Sequence, residues 1–317
     1  MSATRKIATV FGGSGFIGRY VVKRLAAQGY IVRVAVRDTE AAKFLRPMGD
    51  VGQIVLLHAP LHEEALVARA VEGAEIVVNL AGILNERRKG DFLRVHEQGA
   101  GRVARLAASS MVGKLVHVSA LGADAASPSL YGQSKAAGEV AVRAAFPGAV
   151  ILRPSVVFGA EDQFFNRFAT MAGLLRVVPI VSGGTKFQPV YVGDVADAVV
   201  AGLSAGAVGK TYELGGPEVA AFKALMERML KVTEQEACVV DLPLGLAKVQ
   251  ALFLERLPGK LLTTDQIKML ARDNVVSPGA LDLASLGVAA TPMDLILPGY
   301  LARHRDSGGR RAALVSE

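Results

Sequence analysis

Tyr131 and Lys135 stand four residues apart in the stretch LYGQSKAAGE. On a helix, that spacing puts a lysine ammonium beside a phenol. A nearby positive charge favours phenolate and lowers the phenol pKa from about 10, which suits a general acid or base for hydride transfer. The lysine can also hydrogen-bond a nicotinamide ribose. Ser119, at the end of KLVHVS, is the nearest hydroxyl able to polarise a substrate carbonyl; Ala120 and Leu121 follow it and carry none. A strand-end serine bonded to its local backbone is the competing reading.

A second constellation lies in FGGSGFIGRY. Gly12 permits a tight turn, Gly15 lets the backbone approach a pyrophosphate, and Gly18 lets a helix pack closely on a strand. With Ser14, Phe16 and Ile17 they open a helix whose free N–H groups face the anion. Arg19 follows the last glycine, and Arg37 ends the second apolar run, where an NAD site would carry an acid. The two guanidinium groups can clamp a 2′-phosphate, so NADP(H) is favoured over NAD(H), although Asp38 comes next. No metal is expected: His58 and His62 are four apart, but Pro60 interrupts them and no third ligand accompanies them. Asp194 reads as a helix cap.

These residues need a scaffold that presents strand ends side by side. The runs IATVF, IVRVAV, QIVLL, EIVVNL, KLVHVS and AVILR alternate with helical segments such as FLRVHEQGAGRVARLAASS. That rhythm predicts an α/β fold: a Rossmann-type doubly wound parallel sheet with a smaller C-terminal α/β lobe. The division expected is 1–154 for the dinucleotide-binding domain and 155–317 for the smaller lobe, interleaved with the first and ending in an irregular tail. Within the lobe, ACVVDLP reads as a buried strand, LPLGLAKVQALFLERL as a helix, and TTDQIKMLARD as a helix capped by Thr263 or Thr264.

The chain has 317 residues, one cysteine and a net charge of +7. A single cysteine excludes an intramolecular disulfide framework and fits a reducing compartment. With aromatic residues at 6% and no tryptophan, the dispersed positive charge does not suit a nucleic-acid binder. It gathers locally in NERRKGD at 85–91 and RHRDSGGRR at 303–311, patches able to dock on an acidic protein or an anionic membrane surface. No uncharged apolar stretch reaches 18 residues, and KIATVFGG runs straight into the glycine loop rather than forming a signal peptide. The expected location is therefore cytoplasmic, peripheral at most.

The motifs resemble the extended or atypical branch of the short-chain dehydrogenase/reductase superfamily. GGSGFIG matches its glycine loop, and NLAG, with Leu80, Ala81 and Gly82, its motif beside the adenine half. VSA at 118–120 matches the strand end that carries the catalytic hydroxyl, YGQSK the Tyr-x-x-x-Lys pair, and RPSVVFG, beginning at Arg153 and Pro154, the segment lining the nicotinamide. LRPMGDVGQIV, FFNRF, FQPVYVGDVADAV, TYELGGPE, LTTDQIKMLARDNVVS and LPGYL resemble one subgroup over about residues 6–302. It comprises the NADPH-binding accessory subunits of respiratory complex I and their bacterial relatives. The resemblance implies a tightly held structural NADPH, other complex I subunits as partners, and a place on the inner face of the cytoplasmic membrane, or the matrix side in a eukaryote. The competing expectation is an active NADP-dependent oxidoreductase or epimerase, acting in quinone or isoprenoid metabolism.

Overall fold

In the computed structural model, which describes residues 6–242 and 263–305, each apolar run of the first half becomes a strand. These are β1 (Ile7–Phe11), β2 (Ile31–Val36), β3 (Ile54–His58), β4 (Ile76–Asn79), β5 (Lys114–Val118) and β6 (Val150–Pro154). With a seventh strand, Thr211–Leu214, they form one parallel sheet in the order Thr211–Leu214, β6, β5, β4, β1, β2, β3. The order reverses between β1 and β4, and the loops leaving those two strands flank the crevice that a doubly wound sheet offers to a ligand. Continuous apolar strands suit this position, because helices cover both faces.

The crossover helices are α1 (Phe16–Ala27), α2 (Glu64–Val71), α3 (Ala100–Ser109) and α4 (Leu130–Ala145). On one side, Phe11, Val77, Leu115 and Ile151 pack with Val67, Ala70, Val103, Ala104, Ala107 and Val142. A later helix, Val192–Ala201, lies against α1, where Arg24 donates to both Asp197 oxygens (2.6 and 3.0 Å) and to the Gly193 carbonyl (3.1 Å). Asp194 is buried in the first turn of that helix. The chain forms two compact units; the described residues of this first one fall within Met1–Ser155, Val192–Gly215 and Val276–Ala290.

The second unit spans Val156–Tyr191, Gly216–Val275 and Thr291–Glu317 in its described parts. Helices Phe165–Leu175, Phe222–Thr233 and Met293–Leu301 enclose an aromatic core in which Phe164, Phe165, Phe168, Phe187 and Phe222 meet at 5.0–6.2 Å between ring centres. Asp162, buried beside it, accepts the Tyr300 hydroxyl at 2.5 Å and the N–H groups of Gly159, Phe164 and Asn166.

Two expectations change here and a third is narrowed. The strand Cys238–Leu242 exists, paired with Val177–Val181, but none of its five residues is fully buried and Cys238 is exposed. The tail after Asp273 is not all irregular: Met293, Leu297, Tyr300 and Leu301 bury one face of a helix despite Pro298. Thr263, not Thr264, caps the helix Thr264–Met269, in a reciprocal box with Gln266. The helix read at LPLGLAKVQALFLERL falls, apart from its first residue, outside the described residues.

Candidate functional site

The loop between β1 and α1 is built on close backbone approaches. Gly12 has φ +75°, a conformation that side chains with a Cβ rarely adopt, and an added Cβ would press on the Leu80–Ala81 peptide at 3.0 Å. At Gly18 a Cβ would sit 2.3 Å from the Gly12 carbonyl, so α1 could not start where it does. Gly15 is the N-cap, and its N–H donates to Gly12 at 3.0 Å. No side chain caps α1 and no acid occupies its first turn. A helix N-terminus of this kind suits an anion. Ser14, Phe16 and Ile17 line this turn in half-buried or exposed positions, with Phe16 edge-on to Tyr20. The sequence reading passed over Gly13, where a Cβ would meet Val34 at 2.6 Å; adjacent glycines were the available signal.

At the strand ends beside this loop, Leu80 N–H donates to Phe11, and Ala81 N–H to the Asn79 side chain at 3.1 Å. The other end of the Asn79 amide meets His117 Nδ1 at 3.2 Å. Arg19 places its guanidinium over the Phe44 ring, 4.9 Å from the centroid, and Arg37 is exposed at the end of β2. Asp38 turns its carboxylate to the Ala41 N–H at 3.0 Å, closing its own turn. His58 ends β3 with Nδ1 at 2.9 Å from the Arg37 carbonyl, so it braces the backbone of that arginine.

Ser129 caps α4 by accepting the Gly132 N–H, and the helix brings Tyr131 and Lys135 onto one face. Lys135 is buried, and its Nζ donates to the Val118 carbonyl at 3.0 Å, which anchors α4 to the end of β5. Desolvation brings the Lys135 ammonium down to about 8, partly opposed by Glu139. The expected lowering of the phenol by the lysine does not occur: burial pushes Tyr131 up to about 12. Directing the ammonium to a carbonyl, rather than to the phenol, explains the difference. Ser119 is 4% exposed, its N–H bonds Leu152, and among the described residues its Oγ has no hydrogen-bond partner. The local backbone bond considered for it is absent. Pro154 closes β6 and accepts the Leu121 N–H at 2.9 Å, joining the β5 and β6 ends.

The segment expected as a regular helix before α3 is a π-helical turn, Leu93–Gly99. Such turns widen the helix by one residue and recur at functional sites. Here the widening carries His96 inward: it stacks on Phe92 and lies edge-on to Tyr131, 5.5 Å between ring centres. His96 Nε2 accepts the Ile83 N–H at 3.0 Å, so Nδ1 carries the proton and donates to Ser134 Oγ at 2.9 Å, and Ser134 donates to the Tyr131 carbonyl. Burial, then the Lys135 charge, lower His96 to about 3, so the ring is neutral. Gly138 permits this packing, since a Cβ would lie 2.1 Å from the His96 carbonyl. The one hint in the sequence of this placement of His96 is the buried series Phe92, His96, Ala100, stepping by four.

The glycine cradle, the uncapped helix and the buried Ser119 hydroxyl, without a partner among the described residues, together fit a nicotinamide dinucleotide. Among the described residues no helix is long and apolar enough to cross a membrane.

A family model described as "Epimerase: NAD dependent epimerase/dehydratase family" matches residues 8–215. The chain is 35% identical to NADH dehydrogenase (ubiquinone) 1 alpha subcomplex subunit 9, mitochondrial, of Arabidopsis thaliana, covering 98% of this chain and 81% of that protein. The protein of the same name from Mus musculus is 36% identical over 96% of this chain and 82% of its own length. Among solved structures, the NADPH-dependent quinone oxidoreductase QOR2 of Escherichia coli, complexed with NADPH, superposes with a TM-score of 0.73 at 19% identity. That alignment covers 94% of this chain and 99% of the other, and it is a likeness of fold.

Proposed function

Because this chain belongs to the NAD dependent epimerase/dehydratase family, we propose that it is a nucleotide-holding accessory subunit of respiratory complex I. It keeps NADP(H) as a structural group and docks peripherally on the inner side of the membrane. The observation that carries the reading is a mismatch within the site: the glycine turn and the uncapped α1 suit a dinucleotide, while burial holds the phenol for proton transfer up to about 12. A phenol so placed stays protonated across the neutral range and is a poor base. Similarity to the subunit 9 proteins supports the assembly part, because it continues past residue 215 through the second unit.

When bound, the dinucleotide supplies a hydride-carrying ring; the chain's own residues orient it. The α1 N-terminus and the glycine backbone hold pyrophosphate, Arg19 and Arg37 favour a 2′-phosphate, and Lys135 and Tyr131 hold the nicotinamide ribose. Asp38, occupied by the Ala41 N–H, is turned from the ribose-binding role of an NAD-site acid. A ligand that binds only the folded chain stabilises it by mass action, which gives the site a use without turnover.

Native mass spectrometry of complex I purified from the protein's own membranes tests this. The expected result is the chain within the complex, carrying one NADP(H). Recovery only as a free soluble protein that oxidises NADPH would overturn it. The buried Ser119 hydroxyl, without a hydrogen-bond partner among the described residues, and the Tyr131–Lys135 pair support a second reading as an NADP-dependent oxidoreductase. That reading requires Tyr131→Phe to abolish turnover while nucleotide binding persists.

A further inference from the structure

We propose that residues 84–94 form a pre-shaped cationic knob that docks on an acidic protein face. The inference rests on the assembly reading above, and it names the surface through which that assembly is made. Arg87, Arg88 and Lys89 are exposed, and among the described residues their side chains have no ion-pair partner. The two acids of the same loop do not neutralise them. Asp91 accepts the backbone N–H groups of Arg87 (2.9 Å) and Arg88 (2.7 Å) and pairs with Arg94, while Glu86 accepts the Phe92 N–H at 3.0 Å. The Arg88 N–H, then Arg94, hold Asp91 below the usual carboxylate range, so it stays ionised. The acids thus fold the turn, and three cations face outward from it.

Two leucines flank the charge: Leu84 is 61% exposed and Leu93 44%. Beneath them Phe92 is buried against His96 and Tyr131, which fixes the root of the loop. A turn already ordered in the free protein loses little entropy on docking. A membrane surface needs only charge density, which an unstructured basic segment supplies. A fixed turn with apolar flanks suits instead a protein face with complementary charge and a contoured apolar contact.

The test uses the full chain in its own cells. One variant combines Arg87→Glu, Arg88→Glu and Lys89→Glu; a control combines Lys23→Glu, Arg69→Glu and Lys268→Glu at other exposed positions. Co-migration with complex I on native gels is read alongside the melting temperature and bound NADP(H). The loop variant should co-migrate about tenfold less, with melting and nucleotide content unchanged and the control like wild type. Normal co-migration of the loop variant overturns the inference and leaves the assembly reading standing. Equal loss in the control overturns it too, as a general charge effect. Failure of the wild type itself to co-migrate overturns both. Flotation with phosphatidylcholine–phosphatidylglycerol vesicles is the last arm. If it depends on these three residues while co-migration does not, the knob belongs to lipid and the proposal falls.

Discussion

Tyr131 and Tyr300 are both pushed above the ordinary phenol value, for different reasons. Burial alone lifts Tyr131, to about 12. Tyr300 is lifted by burial and by the Asp162 carboxylate that takes its hydroxyl hydrogen at 2.5 Å. Asp162 is tied as well to three backbone N–H groups, and Arg303 and His304 extend the network through Asn166. The surroundings of Tyr131 are less settled: a lysine brought down to about 8, an imidazole kept neutral, and a buried serine hydroxyl without a partner among the described residues. Satisfied polar groups at Tyr300 make a clasp; in the region of Tyr131 the titratable groups are perturbed, and Ser119 Oγ has no partner among the described residues.

The contrast is sharpest in stability. Asp162→Ala leaves the Tyr300 hydroxyl, one buried N–H group and two half-buried ones without their acceptor and should cost about 3 kcal/mol. Tyr131→Phe should cost less than about 1 kcal/mol. Urea unfolding of both variants measures the difference, and equal losses would break the comparison.

Acid titration separates the regions next. His96 has a folded value of about 3 against 6.5 when unfolded. Between those values the unfolded chain binds the extra proton, so stability falls as the pH falls, by about 1.4 kcal/mol per pH unit from this ring. His117, also lowered by burial, acts in the same direction. His96→Gln should remove roughly 1 kcal/mol per unit of that slope near pH 5. An unchanged slope would mean the imidazole is not held neutral.

The smallest effect is expected at Ser119. Ser119→Ala removes a buried hydroxyl with no bond to lose, so the nucleotide-free protein should gain up to about 1 kcal/mol in thermal unfolding while nucleotide affinity does not improve. A loss of stability would show that the hydroxyl has a structural partner.

Much of this was legible in the sequence. Long apolar runs such as IATVF and EIVVNL declare buried parallel strands, and FGGSGFIG declares its loop because backbone crowding admits no side chain there. The start of VYVGDVADAVVAGL reads as a short strand, but its pairing with Val157–Phe158, and the pair Lys186–Phe187 with Ala220–Ala221, were not legible, since two residues carry no periodicity. CVVDL reads as buried because hydropathy alone does not say whether the faces of a strand are covered. At the site, residue types and spacing located Tyr131, Lys135 and Ser119. Their states depended on tertiary facts: where the Lys135 ammonium is directed, and that one extra residue in a helical turn brings His96 against the phenol.

The discontinuity of the first unit has a consequence for synthesis on the ribosome. Its seventh strand, Thr211–Leu214, follows the first excursion into the second unit, and Glu213 of that strand is bonded by residues later still: its N–H donates to Leu281, and its carboxylate accepts the Ser277 N–H. Six strands can pair as they emerge, but the sheet keeps an open edge at β6 until the seventh arrives. The nascent sheet therefore stays half-closed, and exposed to misassociation, from the emergence of Pro154 until that of Thr211.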